Sequence, residues 1–210
     1  MEQRESLVHD LEKSLEGRDP SEPFGTLRVY SQRPELRPSH EILQNVPLAI
    51  GASLRSDIGP VRAAAIAIAD QGHSWIAITP IAGDTDTYGT HPNPTHPKTN
   101  LLRHHEAGLC RNREQMSQML EGDRNCFLER DITVGQAQKL CNFLKSVERL
   151  GPDSWDLKEH PCTTFAAAGL FVTTGERIKG QVHGIPCPAA LAKSIEQDNI
   201  HQEIINSPNR

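Results

Sequence analysis

HPCTTFAAAGL, residues His160–Leu170, sets a cysteine directly behind a proline and just ahead of an apolar run. The run reads as the start of a small apolar helix, with Cys162 in its first turn. Backbone N–H groups there lack intrahelical acceptors, and the positive end of the helix dipole favours a thiolate. A structural cysteine would fit anywhere on the apolar face, and packing among Ala166, Ala167 and Ala168 is the plainer account of the residue. A nucleophile at this place needs more: a base within hydrogen-bond reach, a third group to orient it, and donors for the oxyanion. On these residues alone both accounts stand.

The search for a base leads to His73, one of ten histidines. It follows Asp70–Gly72 and begins HSWIAITPI, which reads as a strand. A histidine presented there, after a glycine turn, faces one side of a sheet. A polar strand end is the bland alternative. VRAAAIAIAD, residues 61–70, reads as an earlier short strand, although alanine is a weak strand former. AGDTD is a turn sequence, and TYGTHP is expected to return beside the His73 strand. If that hairpin turns around Gly83–Asp84, His91 to Pro94 come level with the start of the His73 strand. His91 and Asn93 are then the candidates for the orienting group, with His91 chosen. Asp84 and Asp86 are expected in the turn.

The remaining chain divides by pattern. Leu7, Leu11 and Leu15 recur at helical spacing within residues 1–17. Asp19–Arg37 is rich in proline and charge and reads as a linker or extended arm. Residues 1–41 are therefore expected to form an N-terminal helical and extended arm, and residues 42–210 a single domain. Pro92–Leu109 reads as irregular. REQMSQMLEG and TVGQAQKLCNFLKSVERLG read as helices; the second carries Leu140, Phe143, Leu144 and Val147 on one face and ends at Gly151–Pro152. A last helix begins at Pro188, which suits a first helical turn. The class expected is α+β.

Composition excludes several functions. A net charge of −5 over 210 residues offers no nucleic-acid footprint. No apolar run approaches the roughly 20 residues of a membrane span. The charged N-terminus lacks a secretory signal, so synthesis in the cytoplasm is expected. The five cysteines are scattered without a C-x-x-C pair, which removes a zinc ribbon. Free thiols are expected, although an oxidising destination could pair Cys110 with Cys126, or either with Cys141. The histidines at 91, 96, 104 and 105 lack regular ligand spacing, and no HExxH occurs, so neither a metal nor a cofactor is expected. No G-x-S-x-G elbow and no glycine-rich phosphate loop is present.

Four stretches, in order, carry a resemblance: GHSWIAI, YGTHP, SWDLKEHPCTTFAAAGL and CPAALAKSI. Together they resemble the circularly permuted papain-like cysteine hydrolases, a group that includes permuted NlpC/P60-like peptidases and lecithin:retinol-acyltransferase-like enzymes. Within it the chain is most similar to small bacterial effectors of type VI secretion that attack peptidoglycan. The resemblance spans about Arg62 to Gln197 and leaves the N-terminal arm unexplained. It implies a small antiparallel sheet packed on helices, with residues 42–210 as the hydrolase domain. It implies Cys162 as nucleophile, His73 as general base and His91 as third member. The residue before the cysteine, commonly Asn in the pattern, is Pro161 here. The resemblance further implies a peptidoglycan peptide as substrate, delivery to a target-cell periplasm, and a cognate immunity protein and a secretion component as partners. Two rivals share the residues: a thiol phospholipase or acyltransferase of the same fold, and a non-catalytic binding or adaptor protein. Catalysis requires the Cys162 sulfur near an imidazole nitrogen of His73. A binding module would leave the two apart, or Cys162 buried.

Overall fold

Ten residues from the segment read as a linker, Pro23–Gln32, form strand β1, and the sheet is assembled around it. The computed structural model describes residues 6–32, 73–91, 108–112, 125–151, 162–182 and 185–206. β1 pairs antiparallel on one side with β2 (Ser74–Pro80) and on the other with β5 (Asn125–Thr133). β3 (Asp86–His91) and β4 (Gly108–Arg111) complete the five-stranded order β4-β3-β2-β1-β5, antiparallel throughout. Within FGTLRVYS the residues alternate: Leu27 and Val29 enter the main core, and Tyr30 joins a cluster on the opposite face. Proline and charge suggest a linker, but the period-2 pattern of β-branched and aromatic residues decides for a strand. The N-terminal arm is thus corrected over residues 23–32, which are structural to the sheet.

Helix α1 (His9–Leu15) precedes β1 and buries Leu11 and Leu15, two of the leucines whose spacing predicts it. It is tied to helix α2 (Val134–Leu150): the Ser6 hydroxyl and the Leu7 amide donate to the Glu148 carboxylate at 2.6 and 2.7 Å. Lys145 of α2 also bonds Glu12. α2 opens on a capping box in which Thr133 and Gln136 satisfy each other's backbone N–H groups, worth about 1 kcal/mol. It ends at Gly151, as its sequence indicates, and buries Leu140, Leu144 and Val147 on the expected face.

Two further helices follow. α3 (Cys162–Thr174) begins at the cysteine, and α4 (Pro188–Asn206) begins at the proline. Between them Gln181–Val182 (β6) pairs with Ile185–Pro186 (β7). The described residues thus hold an α+β arrangement of a small antiparallel sheet and four helices. The core lies between one sheet face (Leu27, Val29, Ile76, Ile78 and Tyr88) and Leu140, Leu144, Phe165, Leu170, Leu191 and Ile195 of the helices. Each fully buried aliphatic side chain stabilises by about 1.5–3 kcal/mol, so this interface outweighs any single cap or ion pair. Gly169 lets α3 lie close on β2: a β-carbon there would stand 3.3 Å from the Ile76 Cδ1.

β2 and β3 form the expected hairpin, and β4 begins within the stretch read as irregular. The strand expected at 61–70 and the helix expected at 113–122 lie outside the described residues. β5 had no counterpart in the sequence reading. No helix among the described residues is long and apolar enough to cross a membrane.

Candidate active site

Sequence register brings the two histidines together. β3 pairs with β2 through Ile76–Tyr88, Ala77–Thr87 and Ile78–Asp86. Continued toward the start of β2, this register sets His91 beside His73. Their rings lie 4.5 Å apart, tilted by 33°. His73 is also held by its main chain, because its N–H donates to the Gln32 Oε1 at 3.1 Å and its carbonyl accepts from the Gln32 N–H at 3.0 Å. Its ring stacks on Trp75 at 5.8 Å, and Trp75 stacks on Tyr30 at 4.9 Å. The imidazole therefore rests on an aromatic row with its own strand position fixed. Asn93 lies outside the described residues. Asp84 sits in the β2–β3 connection, and Asp86 opens β3 at the far end of the hairpin, where it binds Arg111.

Cys162 is the first residue of α3 and is 5% exposed. Its neighbour Thr163 reaches the strand: the Thr163 Oγ1 is 3.5 Å from the Ser74 Oγ. Thr163 follows Cys162, and Ser74 follows His73, so the helix start and the strand start abut. The Ser74 Oγ is 2.9 Å from the Ser31 Oγ, and the Ser31 hydroxyl donates to the Pro188 carbonyl at 2.8 Å. This buried line of hydroxyls joins three of the stretches that carry the family resemblance: the histidine strand, the cysteine helix and the CPAALAKSI tail.

The faces of the sheet constrain how thiol and imidazole can meet. α3 packs on the side of Ile76, whereas the His73 ring lies on the side of Trp75. Thr163 meets β2 at Ser74, the N-terminal end of the strand. At that end His91 is also buried, and the Thr90 hydroxyl is buried with no hydrogen-bond partner among the described residues.

The other cysteines are placed differently. All five are buried thiols. Cys141 sits mid-helix in the core, where burial pushes its thiol above the ordinary value, the opposite of nucleophile activation. The Cys126 thiol contacts the Ser31 carbonyl at 3.0 Å, and the Cys187 N–H donates to the Gly180 carbonyl ahead of α4. His96, His104 and His105 lie outside the described residues, as does Pro161. Among the described residues no group of three or more His, Cys, Asp or Glu is placed to hold a metal.

Sequence reasoning missed Ser31, Ser74 and Thr163. Ser74 and Thr163 carry a signal of their own, since each directly follows a candidate catalytic residue in its motif. Ser31 was hidden by the linker reading of its segment. No family model, no curated protein and no solved structure matches the chain.

Proposed function

We propose that the chain is a cysteine hydrolase of circularly permuted papain-like fold that cleaves an amide bond in peptidoglycan peptides. The observation that carries this reading is the abutment of Thr163 on Ser74, which sets the neighbours of Cys162 and His73 against each other at one end of the sheet. The His73–His91 contact supports it, because a base needs an orienting partner.

In this mechanism His73 takes the Cys162 thiol proton, and the sulfur attacks the amide carbon. The S–C bond forms as the carbonyl π electrons move to oxygen. The Cys162 N–H, in the first turn of α3, and a second donor hold the oxyanion. The C–N bond then breaks, and the imidazolium returns the proton to the departing amine. Water, deprotonated by His73, attacks the thioester, and the carboxylate product and the thiol are released. His91 acts through His73 as a positioning residue. The biological setting proposed is that of an antibacterial effector, made in the cytoplasm, delivered to a target-cell periplasm and countered by an immunity protein.

One observation favours a second reading. Cys162 is buried, as a core thiol in a non-catalytic binding protein would be. Digestion of purified peptidoglycan sacculi separates the two. Wild type is compared with Cys162→Ala and His73→Ala, with the products resolved and weighed. New muropeptides from wild type alone are expected. No product from a folded wild-type protein overturns the peptidoglycan reading, and lipid ester substrates are then the next assay before a binding role.

A further inference from the structure

The hydroxyl line beneath the start of α3 has a direction that proton accounting fixes. Ser31 has one hydroxyl proton, and it is given to the Pro188 carbonyl. In the 2.9 Å contact between Ser31 and Ser74, the proton must therefore come from Ser74. Ser74 then has no proton left, so in its contact with Thr163 the proton comes from Thr163. The chain reads Thr163 to Ser74 to Ser31 to the carbonyl of Pro188, each hydroxyl donating once. Ser31, Ser74 and Thr163 are all essentially inaccessible to water.

A core of this kind could be closed with alanine and valine at lower desolvation cost. Apolar contacts tolerate small slips, whereas a buried hydroxyl line is satisfied in only one register. Its ends are also telling. One is the residue after Cys162, and its first link inward is the residue after His73; the other is the first residue of α4.

We propose that Thr163, Ser74 and Ser31 are positioning residues, which set the first turn of α3 against the start of β2 and thereby hold the Cys162 thiol in register with His73. The inference rests on the Cys–His reading of the site and adds what aligns the pair. The Thr163 link, at 3.5 Å, is the longest of the three and the one nearest the thiol.

The test is the rate at which iodoacetamide modifies Cys162 at pH 7, followed by mass spectrometry of the peptide carrying it. Wild type, His73→Ala, Thr163→Val, Thr163→Ser and Ser31→Ala are compared, with thermal melting as the check on folding. Valine keeps the shape of Thr163 and removes its proton; serine keeps the proton and removes the methyl that lies against Gly180. Wild type is expected to react about tenfold faster than His73→Ala, because a base within reach activates the thiol as a nucleophile. Thr163→Val should lose most of that advantage, and Ser31→Ala, at the far end of the line, should move in the same direction. Thr163→Ser should stay within about twofold of wild type. Loss in Thr163→Ser with none in Thr163→Val would show that the methyl packing matters and overturn the proposal, as would unchanged rates in all three hydroxyl variants. Equal rates in wild type and His73→Ala would instead remove the Cys–His pair, and the positioning role with it.

Discussion

The imidazole of His91, on the third strand, stands 4.5 Å from that of His73 at the head of the second, and a regular hairpin register puts it there. The contact joins residues separated by a turn at Gly83–Asp84. Under the proposed hydrolase reading, it gives His91 a role that can be distinguished from that of the base His73. Removing a general base costs about 10²–10⁴-fold in rate. His73→Ala should fall in that range in kcat for peptidoglycan cleavage. His91→Ala should cost less, about ten- to a hundredfold, with KM little changed, and His91→Asn should recover part of the loss because an amide can still orient an imidazole. Equal kcat for wild type and His91→Ala would show that the base is oriented by something else.

How far this site can be read in the sequence depends on the kind of signal each part carries. His73, His91 and Cys162 are visible because strand alternation, a recognisable turn and a helix start fix their places locally. The hairpin register is then arithmetic. The interior strand Pro23–Gln32 was not visible as such, because Pro20, Pro23 and the surrounding charge give the segment the composition of a linker. Its burial comes from pairing with β2 and β5, which no local window contains. β5 is obscured for a related reason: NCFLERDIT alternates, but its outward residues are strongly charged. Ser31 fell with β1, and with it the link from the histidine strand to α4.

Gly25 tests whether β1 is held against β2 as its pairing indicates. Its φ is +153°, and a β-carbon would lie 2.0 Å from the Thr79 carbonyl oxygen and 2.8 Å from the Pro80 Cα. These are backbone atoms of β2, which cannot move aside without breaking the ladder. Gly25→Ala should therefore cost more than about 3 kcal/mol, well beyond the usual Gly-to-Ala effect. Urea unfolding should show a collapse of the midpoint or no folded protein. An unfolding free energy within about 1 kcal/mol of wild type would mean that β1 is not packed on β2 in this register.

Arg111 closes the opposite end of the sheet. Its guanidinium grips Asp86 with two parallel bonds of 3.0 Å and reaches Asp10 of α1 with a third of 2.6 Å. Asn112, in a left-handed conformation (φ 58°), donates to the same Asp86 carboxylate. The Asp86 pair is half-sheltered and bidentate, whereas Asp10 is exposed, so the two arms should differ. Asp86→Asn should cost about 2 kcal/mol, and Asp10→Asn should leave the unfolding midpoint almost unmoved. The Arg111 guanidinium holds the Asp10 carboxyl below its ordinary value. Whatever that pair contributes is present above the ordinary carboxylate range and is lost as pH falls through the lowered value. Midpoints for the two variants at pH 7 and pH 3 decide the matter; an Asp10→Asn loss as large as that of Asp86→Asn would contradict it.

Alkaline pH should expose two buried acids in the core. Tyr88 is inaccessible, its hydroxyl has no hydrogen-bond partner among the described residues, and burial followed by the charge of Asp86 pushes its pKa well above that of a free tyrosine. Burial likewise raises the Cys141 thiol. For both groups the folded state keeps its proton longer than the unfolded chain does. Their contribution is whole below the unfolded values, about 8.5 for cysteine and about 10 for tyrosine, and is lost as pH climbs from there toward the raised folded values. Stability should therefore fall in two stages, each with a slope of at most about 1.4 kcal/mol per pH unit. Tyr88→Phe keeps the ring, removes the unpartnered hydroxyl and should abolish the upper stage. At pH 7 it should be neutral or stabilising by about 1 kcal/mol, since no bond is lost and a buried polar group is removed. Cys141→Ala should cost about 1 kcal/mol at pH 7 from the small cavity, and should remove the lower stage only. Urea midpoints between pH 7 and pH 11 test this. A Tyr88→Phe protein that unfolds with the same upper-stage slope as wild type would show that the phenol is not the group being held neutral.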